Sequence, residues 1–125
     1  MKMGKEHVVP LCTQAIKILQ TQKEITGQRD WVFPNQVRPI KSMSNNTILK
    51  ALERMGYKGV MTGHGFRALA RTTIREKLDY HSEIIEKQLA HKTLMAHGEA
   101  YDRTQFIDQR ITMMQDWADY LDKVK

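Results

Sequence analysis

The chain has 125 residues, 41% of them hydrophobic, which is enough for one domain with a core and argues against a disordered chain. Lys and Arg outnumber Asp and Glu by 20 to 14, and the resulting net charge of +6 is typical of a polyanionic partner, nucleic acid first, and equally typical of an ordinary solvated surface. We expect no membrane span, because no apolar run reaches roughly 18 residues. We also expect a cytosolic location, because no signal-like stretch follows the charged N-terminus and the single cysteine excludes an internal disulfide.

The first part of the chain predicts a short extended run followed by a helix. Residues 8–11 form an apolar stretch that Pro10 interrupts, and residues 3–5 are compatible with a hairpin turn before it. Residues 13–25 have helical periodicity, and Gly27 follows as a stop signal. The apolar face of this helix is expected to comprise Ala15, Ile16, Ile18 and Leu19.

A second helix is predicted from Ser44, a good N-cap residue, to Gly56. Its polar side chains are candidates for a contact in a DNA groove, through Asn45, Asn46 and Lys50. A solvated helix face is the alternative interpretation of the same residues.

Three more helices are predicted in the second half of the chain. Thr62 is expected to cap a helix over residues 63–78, and Ser82 one that ends near Leu89. The last helix, over residues 104–123, has the clearest apolar stripe, formed by Ile107, Ile111, Met114, Ala118 and Leu121 and widened by Phe106, Met113 and Trp117. The predicted fold is therefore mainly α, with a small N-terminal β element.

His64 and Arg67 are three residues apart at the start of a predicted helix, so they share one face. The N-terminus of a helix attracts anions, and the guanidinium fork can bind two phosphate oxygens. Arg71 and Arg75 extend this basic row as salt-bridge or DNA-backbone residues. A surface pair without a role is the alternative for His64 and Arg67.

Two further residues with suitable chemistry follow in order. His91 ends the helix that begins near Ser82. The alternative to a functional role is that His91 only caps this helix and interacts with its dipole. Tyr101 follows a loop at residues 92–99, and a phenol becomes a nucleophile once it loses its proton. The weaker candidates for a nucleophile are the other three tyrosines, Tyr57, Tyr80 and Tyr120.

The ordered set His64-Gly-Phe-Arg67, His91 and Tyr101 resembles the tyrosine recombinase (phage integrase) family. Residues 100–104 and 113–121 look like the prophage integrase branch. The resemblance implies the C-terminal part of a DNA breaking-rejoining catalytic domain.

The resemblance also assigns roles to individual residues. Tyr101 would attack the scissile phosphate and form a 3′-phosphotyrosyl bond, and Arg67 would stabilise the transition state. His64 and His91 would orient the phosphate and assist proton transfer. Lys2, seven residues before Val9, would be the general acid, with Lys5 as the alternative.

Several expectations concern the protein around this site. Residues 1–125 are expected to be a partial catalytic domain that lacks an upstream arginine segment and N-terminal DNA-binding domains. The resemblance implies double-stranded DNA and other integrase protomers as partners, a bacterial cytoplasmic location and no cofactor. No metal site is expected, since the histidines lack ligand spacing. The 125 residues alone are expected to bind DNA weakly and not to cleave it.

Two other classes of protein remain compatible with the sequence. A non-catalytic, basic DNA-binding module shares the charge but has no use for Tyr101. A helical interaction domain would use the apolar stripe of the last helix for a partner.

Overall fold

The computed structural model describes residues 6–91 and 104–125 of the chain. The described residues form five helices: α1 Thr13–Thr26, α2 Thr47–Arg54, α3 Gly63–Lys77, α4 Ser82–Gln88 and α5 Ile107–Lys123. They divide into two compact units, one made of Met1–Cys12 with Leu69–Lys125 and the other of Thr13–Ala68. The prediction of a mainly helical protein is confirmed.

The predicted N-terminal β element is wrong for the described residues, because residues 6–12 contain no strand. Their polar groups bond to side and main chains of other segments instead of to a partner strand. The Val8 carbonyl accepts a hydrogen bond from Nη2 of Arg110, and Nε2 of His7 lies 3.2 Å from the Gln88 carbonyl. The predicted turn at residues 3–5 lies outside the described part of the chain.

In the unit Thr13–Ala68, α1 has nearly the predicted bounds, and its predicted apolar face is only partly covered, since Ala15 and Leu19 are half-buried. Ile16 and Ile18 are exposed, whereas Thr26 is buried at the end of the helix. The Thr26 hydroxyl donates to the carbonyls of Gln22 and Val32, which fixes the chain that leaves α1.

A loop connects α1 to α2 and contains one antiparallel bridge, between Pro34 and Ser42. α2 begins two residues later than predicted, with Asn46 in the N-cap position in place of Ser44. The reason is a turn before the helix, in which Thr47 N donates to the Ser44 carbonyl at 3.0 Å. The predicted end is confirmed, since Gly56 follows α2 with φ +89°.

The other unit contains a core formed by the buried side chains of Ile74, Ile85 and Met113, one from each of α3, α4 and α5. Ala70, Leu78, Leu89 and Trp117 are among the residues that pack around these three. α4 and α5 are also in direct contact. Burying an apolar side chain of this size contributes roughly 1.5–3 kcal/mol, so these three residues are the main source of cohesion described for this unit.

The face that α5 buries overlaps the predicted stripe and the residues predicted to widen it. Met113 and Ala118 are buried as core residues, whereas Ile111 is about half exposed. Arg110 shares the buried face and is 0% exposed. The buried arginine is the part of this face that the prediction did not include.

In the described residues, no helix combines the length and the low polarity that crossing a membrane requires.

Candidate active site

The first turn of α3 presents His64 and Arg67 on the surface, as predicted from their spacing. Thr62 caps the helix, because its hydroxyl accepts a hydrogen bond from Gly65 N at 3.0 Å. His64 and Arg67 are both exposed, and their separation of three residues places them on one side of α3. Both side chains therefore lie at the positive end of the α3 dipole, where an anion is stabilised.

His91 is placed by the way in which α4 ends. The N–H of Ala90 donates to the Lys87 carbonyl at 3.1 Å, and the N–H of His91 donates to the Glu86 carbonyl at 3.0 Å. These two bonds form a Schellman motif, which requires a left-handed residue after the helix. Ala90 has this conformation, with φ 53°. The backbone of His91 is thus fixed beside α4.

Glu86 connects His91 with Arg71 through its two carboxylate oxygens. Oε1 accepts a hydrogen bond from Nε of Arg71, and Oε2 lies 2.5 Å from Nδ1 of His91. The Glu86 side chain is 16% exposed, against 57% for Arg71 and 43% for His91. Burial by itself raises the pKa of Glu86, but the hydrogen bonds from Arg71 and His91 lower it below its usual value. Glu86 is therefore ionised at neutral pH.

A cleft of about 260 Å³ lies beside this ion-pair cluster, between α3 and α4. Its lining includes Arg71 and Arg75 from α3 and Ser82 and Glu86 from α4. Arg75 also donates to the Tyr80 carbonyl at 3.3 Å. The cleft therefore combines two guanidinium groups with a carboxylate that already binds one of them.

Two predicted catalytic residues, Lys2 and Tyr101, lie outside the described residues, as do Lys5 and the loop at residues 92–99. His64 and Arg67 belong to the unit Thr13–Ala68, whereas His91 belongs to the other unit. The expectation that these three side chains meet at one phosphate stays a prediction. Within its own unit, His91 is brought together with Arg71, one of the candidate DNA-backbone residues.

Among the weaker tyrosine candidates, Tyr80 is unsuited to nucleophilic attack. Its hydroxyl donates to Oδ2 of Asp116. Burial, the hydrogen bond to Asp116 and the charge of that carboxylate raise the pKa of Tyr80 to about 12. A phenol with this pKa is hardly ionised at neutral pH. Tyr120 stacks on Trp117 with ring centroids 5.9 Å apart, and Tyr57 is about half exposed.

The candidate groove-contact residues Asn45, Asn46 and Lys50 are all exposed. Asn45 and Asn46 lie in the turn before α2, and Lys50 lies in its first turn, 2.8 Å from the carboxylate of Glu53. Exposure is necessary for a DNA contact and equally typical of a solvated face. Their role stays a prediction.

The sequence interpretation missed Glu86 and Arg110. Arg110 donates through Nε to Gln88 Oε1 at 2.8 Å and through Nη1 to the Gln105 carbonyl at 3.2 Å, in addition to its bond to Val8. The spacing of Arg110 to Met113 and Met114 was the available signal, since these residues share one helical face. No comparable signal pointed to Glu86, because its contact with Arg71 joins residues 15 apart.

Within the described residues, no group of three or more His, Cys, Asp or Glu side chains is arranged to bind a metal ion.

Residues 1–106 match the model of the phage integrase family. The chain is 39% identical to prophage integrase IntA of Escherichia coli (strain K12), over 95% of this chain and 29% of that protein. It is 43% identical to prophage integrase IntZ of the same organism, over 99% of the chain and 30% of the relative. The integrase of Enterobacteria phage P4 is also 43% identical, over 98% of the chain and 28% of the relative.

No solved structure matches the chain. The match to the family model covers most of the sequence, so the chain belongs to the phage integrase family. It spans less than a third of the length of the three relatives.

Proposed function

We propose that this chain contributes most of the catalytic residues of a site-specific DNA recombinase. The active recombinase in this proposal is a whole protein about as long as the relatives. The observation that supports this best is the family match over residues 1–106. That range contains all the residues with a proposed catalytic role: Lys2, His64, Arg67, His91 and Tyr101. The exposed His64 and Arg67 at the start of α3 add a place where a phosphate is stabilised.

The proposed reaction is a pair of transesterifications. The Tyr101 oxygen attacks the scissile phosphorus and passes its proton to His64 or His91, while the bond to the 5′-oxygen breaks and that oxygen takes a proton from Lys2. The product is a 3′-phosphotyrosyl bond and a free 5′-hydroxyl. The 5′-hydroxyl of another strand then attacks the same phosphorus, which restores a phosphodiester and releases the phenol. The energy of the broken bond is kept in the protein–DNA bond, so the cycle is isoenergetic.

In this proposal, Arg67 stabilises the charge that develops on the phosphate oxygens in the transition state. His64 and His91 donate hydrogen bonds to the phosphate or move protons. Double-stranded DNA is the substrate, and other protomers of the integrase align a second strand. The names of the relatives, prophage and phage integrases, support a protein that works on DNA in the bacterial cytoplasm.

A nicked suicide substrate tests the proposed function in the whole protein. Such a substrate loses a short strand after cleavage, so the covalent protein–DNA product accumulates and is resolved on a denaturing gel. We expect the product with the wild-type protein and none with Tyr101→Phe, while the control Tyr57→Phe retains it. Absence of the product from the wild type, or its formation by Tyr101→Phe, would overturn the proposal.

A further inference from the structure

The Glu86 carboxylate bonds to two side chains that the sequence interpretation treated separately. We propose that Glu86 is a positioning residue, which holds His91 with the proton on Nδ1 and places Arg71 next to it; this inference rests on the proposed function of the chain. Glu86 acts through His91 and has no contact with the reacting phosphate in the proposal.

The first argument is the geometry of the helix end. The Schellman motif bonds the His91 backbone N–H to the Glu86 carbonyl, and Nδ1 of the same histidine lies 2.5 Å from the Glu86 carboxylate. One residue therefore contacts both the main chain and the ring of His91. Two contacts from one residue leave the imidazole much less freedom than a surface histidine has.

The second argument is the hydrogen-bonding capacity of each group. An ionised carboxylate only accepts, so the nitrogen of His91 that faces it is required to donate. In the neutral imidazole this places the proton on Nδ1 and leaves Nε2 as the acceptor nitrogen. Glu86 is ionised for the reason given above, the hydrogen bonds that lower its pKa.

The third argument is the position of Arg71. Its Nε bonds to Oε1 of Glu86, so the carboxylate is bound at both oxygens and cannot rotate without breaking a bond. Arg71 and Glu86 come from different helices, α3 and α4. The pair therefore determines the orientation of the ring of His91 relative to α3, the helix whose basic row we expect to face DNA.

Replacement of Glu86 by Gln separates these arguments. The amide keeps the size of the carboxylate, but one of its two ends becomes an NH₂ donor. If this donor faces His91, it selects the neutral form with the proton on Nε2; if it faces Arg71, two donors meet and the contact is lost. Glu76→Gln is the matched control, because Glu76 lines the same cleft and the change leaves the Glu86 carboxylate in place.

The first measurement is the proton position on His91 in the ¹⁵N-labelled chain, from long-range ¹H–¹⁵N spectra at a pH where the ring is neutral. We expect Nδ1–H in the wild type and in Glu76→Gln, and a mixture or Nε2–H in Glu86→Gln. If Glu86→Gln fails to fold, the proton position on His91 in the wild type is still sufficient to test the inference. A wild-type His91 with its proton on Nε2 would overturn the inference.

The second measurement is the rate of covalent trapping in the whole protein. We expect Glu86→Gln to slow trapping by at least about tenfold, the lower end of the cost of removing a carboxylate that orients a functional histidine, and Glu76→Gln to match the wild type. Normal trapping by Glu86→Gln would overturn the inference while the proposed function stands. A wild type that forms no covalent product would instead refute the proposed function, and the tautomer spectrum would still report on Glu86.

Discussion

At the scale of the residue, the described structure shows how neighbours change the chemistry of two similar groups. The carboxylates of Glu86 and Asp116 each bond to a partner that sequence reasoning did not connect to them. Against the opposing effect of burial, Arg71 and His91 lower the pKa of Glu86, whereas burial together with the bond to Asp116 raises the pKa of Tyr80 to about 12. The sign of each effect follows from whether the bond favours the charged or the neutral form.

The bond between Tyr80 and Asp116 leads to a prediction about alkaline pH. The pKa of Tyr80 in the folded chain, about 12, lies above the ordinary value of 10.0. The free energy of folding that the neutral Tyr80 phenol contributes is therefore fully present below pH 10 and is lost as the pH rises from 10 through 12. We expect a phenolate absorbance titration with one late step, which disappears in Tyr80→Phe and moves to lower pH in Asp116→Asn. An unchanged late step in Asp116→Asn would contradict this assignment.

At the scale of the element, the ends of the helices decide where the candidate residues lie. α4 is only seven residues long, and it ends in a motif that requires a left-handed backbone at Ala90. An L-residue with a side chain is strained in this conformation, whereas glycine adopts it readily. The position of His91 therefore depends on a conformation that the surrounding structure imposes on an alanine.

We predict that Ala90→Gly stabilises the chain, because glycine removes a left-handed strain of roughly 1 kcal/mol. The matched control is Ala51→Gly in α2, where the same change should cost about 0.5–1 kcal/mol because glycine is a poor helix former. Urea denaturation of the two variants should thus show shifts of opposite sign relative to the wild type. A loss of stability in Ala90→Gly as large as that in Ala51→Gly would show that Ala90 is not strained.

Arg110 connects three segments of its unit through hydrogen bonds. Its guanidinium group is fully buried, burial lowers its pKa, and it bonds to oxygens of the N-terminal segment, α4 and the residues before α5. A buried cation is tolerated only where its donors are paired in this way. The bond from Arg110 to the Val8 carbonyl holds the N-terminal segment in place, where the sequence predicted a β element.

We expect Arg110→Met to destabilise the chain by at least about 2 kcal/mol, since each buried acceptor left without a donor costs about 1–3 kcal/mol. The measurement is the midpoint of urea unfolding. Arg54→Met, at an exposed position in α2, is the control and should change stability by less than about 0.5 kcal/mol. If both variants unfolded at the same urea concentration, the bonds of Arg110 would not be important for the fold.

At the scale of the whole molecule, the net charge of +6 is the property most relevant to a DNA substrate. Part of this charge is already engaged within the protein, because Lys50 pairs with Glu53 and Arg71 pairs with Glu86. The Lys50–Glu53 pair is of the exposed kind that contributes little energy, so Lys50 remains available for a phosphate contact. Weak DNA binding by the chain itself stays a prediction.

We predict that the logarithm of the DNA association constant falls linearly with the logarithm of the salt concentration. Each phosphate contact should add about 0.9 to the magnitude of the slope. Lys50→Gln and Arg71→Gln should each reduce that slope by about one unit if the side chain binds a phosphate. Lys125→Gln, at the exposed C-terminal end, is the control. Binding that is independent of ionic strength would contradict an electrostatic interface.

The sequence by itself determined the helices, the caps at Thr62 and Gly56, and the order of the candidate catalytic residues. These features depend on neighbours within one or two turns, so local patterns are enough to predict them. The same locality explains why His64 and Arg67 were correctly placed together on one helix start.

Only the tertiary structure decided that Arg110 is buried on α5, that residues 6–12 form no strand, and which residue binds His91 and Arg71. Each of these outcomes depends on contacts between distant segments, as the bonds of Arg110 to Val8 and of Arg71 to Glu86 show. A sequence pattern treats charged residues as solvent-facing, but a folded chain can bury a charge when it supplies hydrogen-bond partners from several elements.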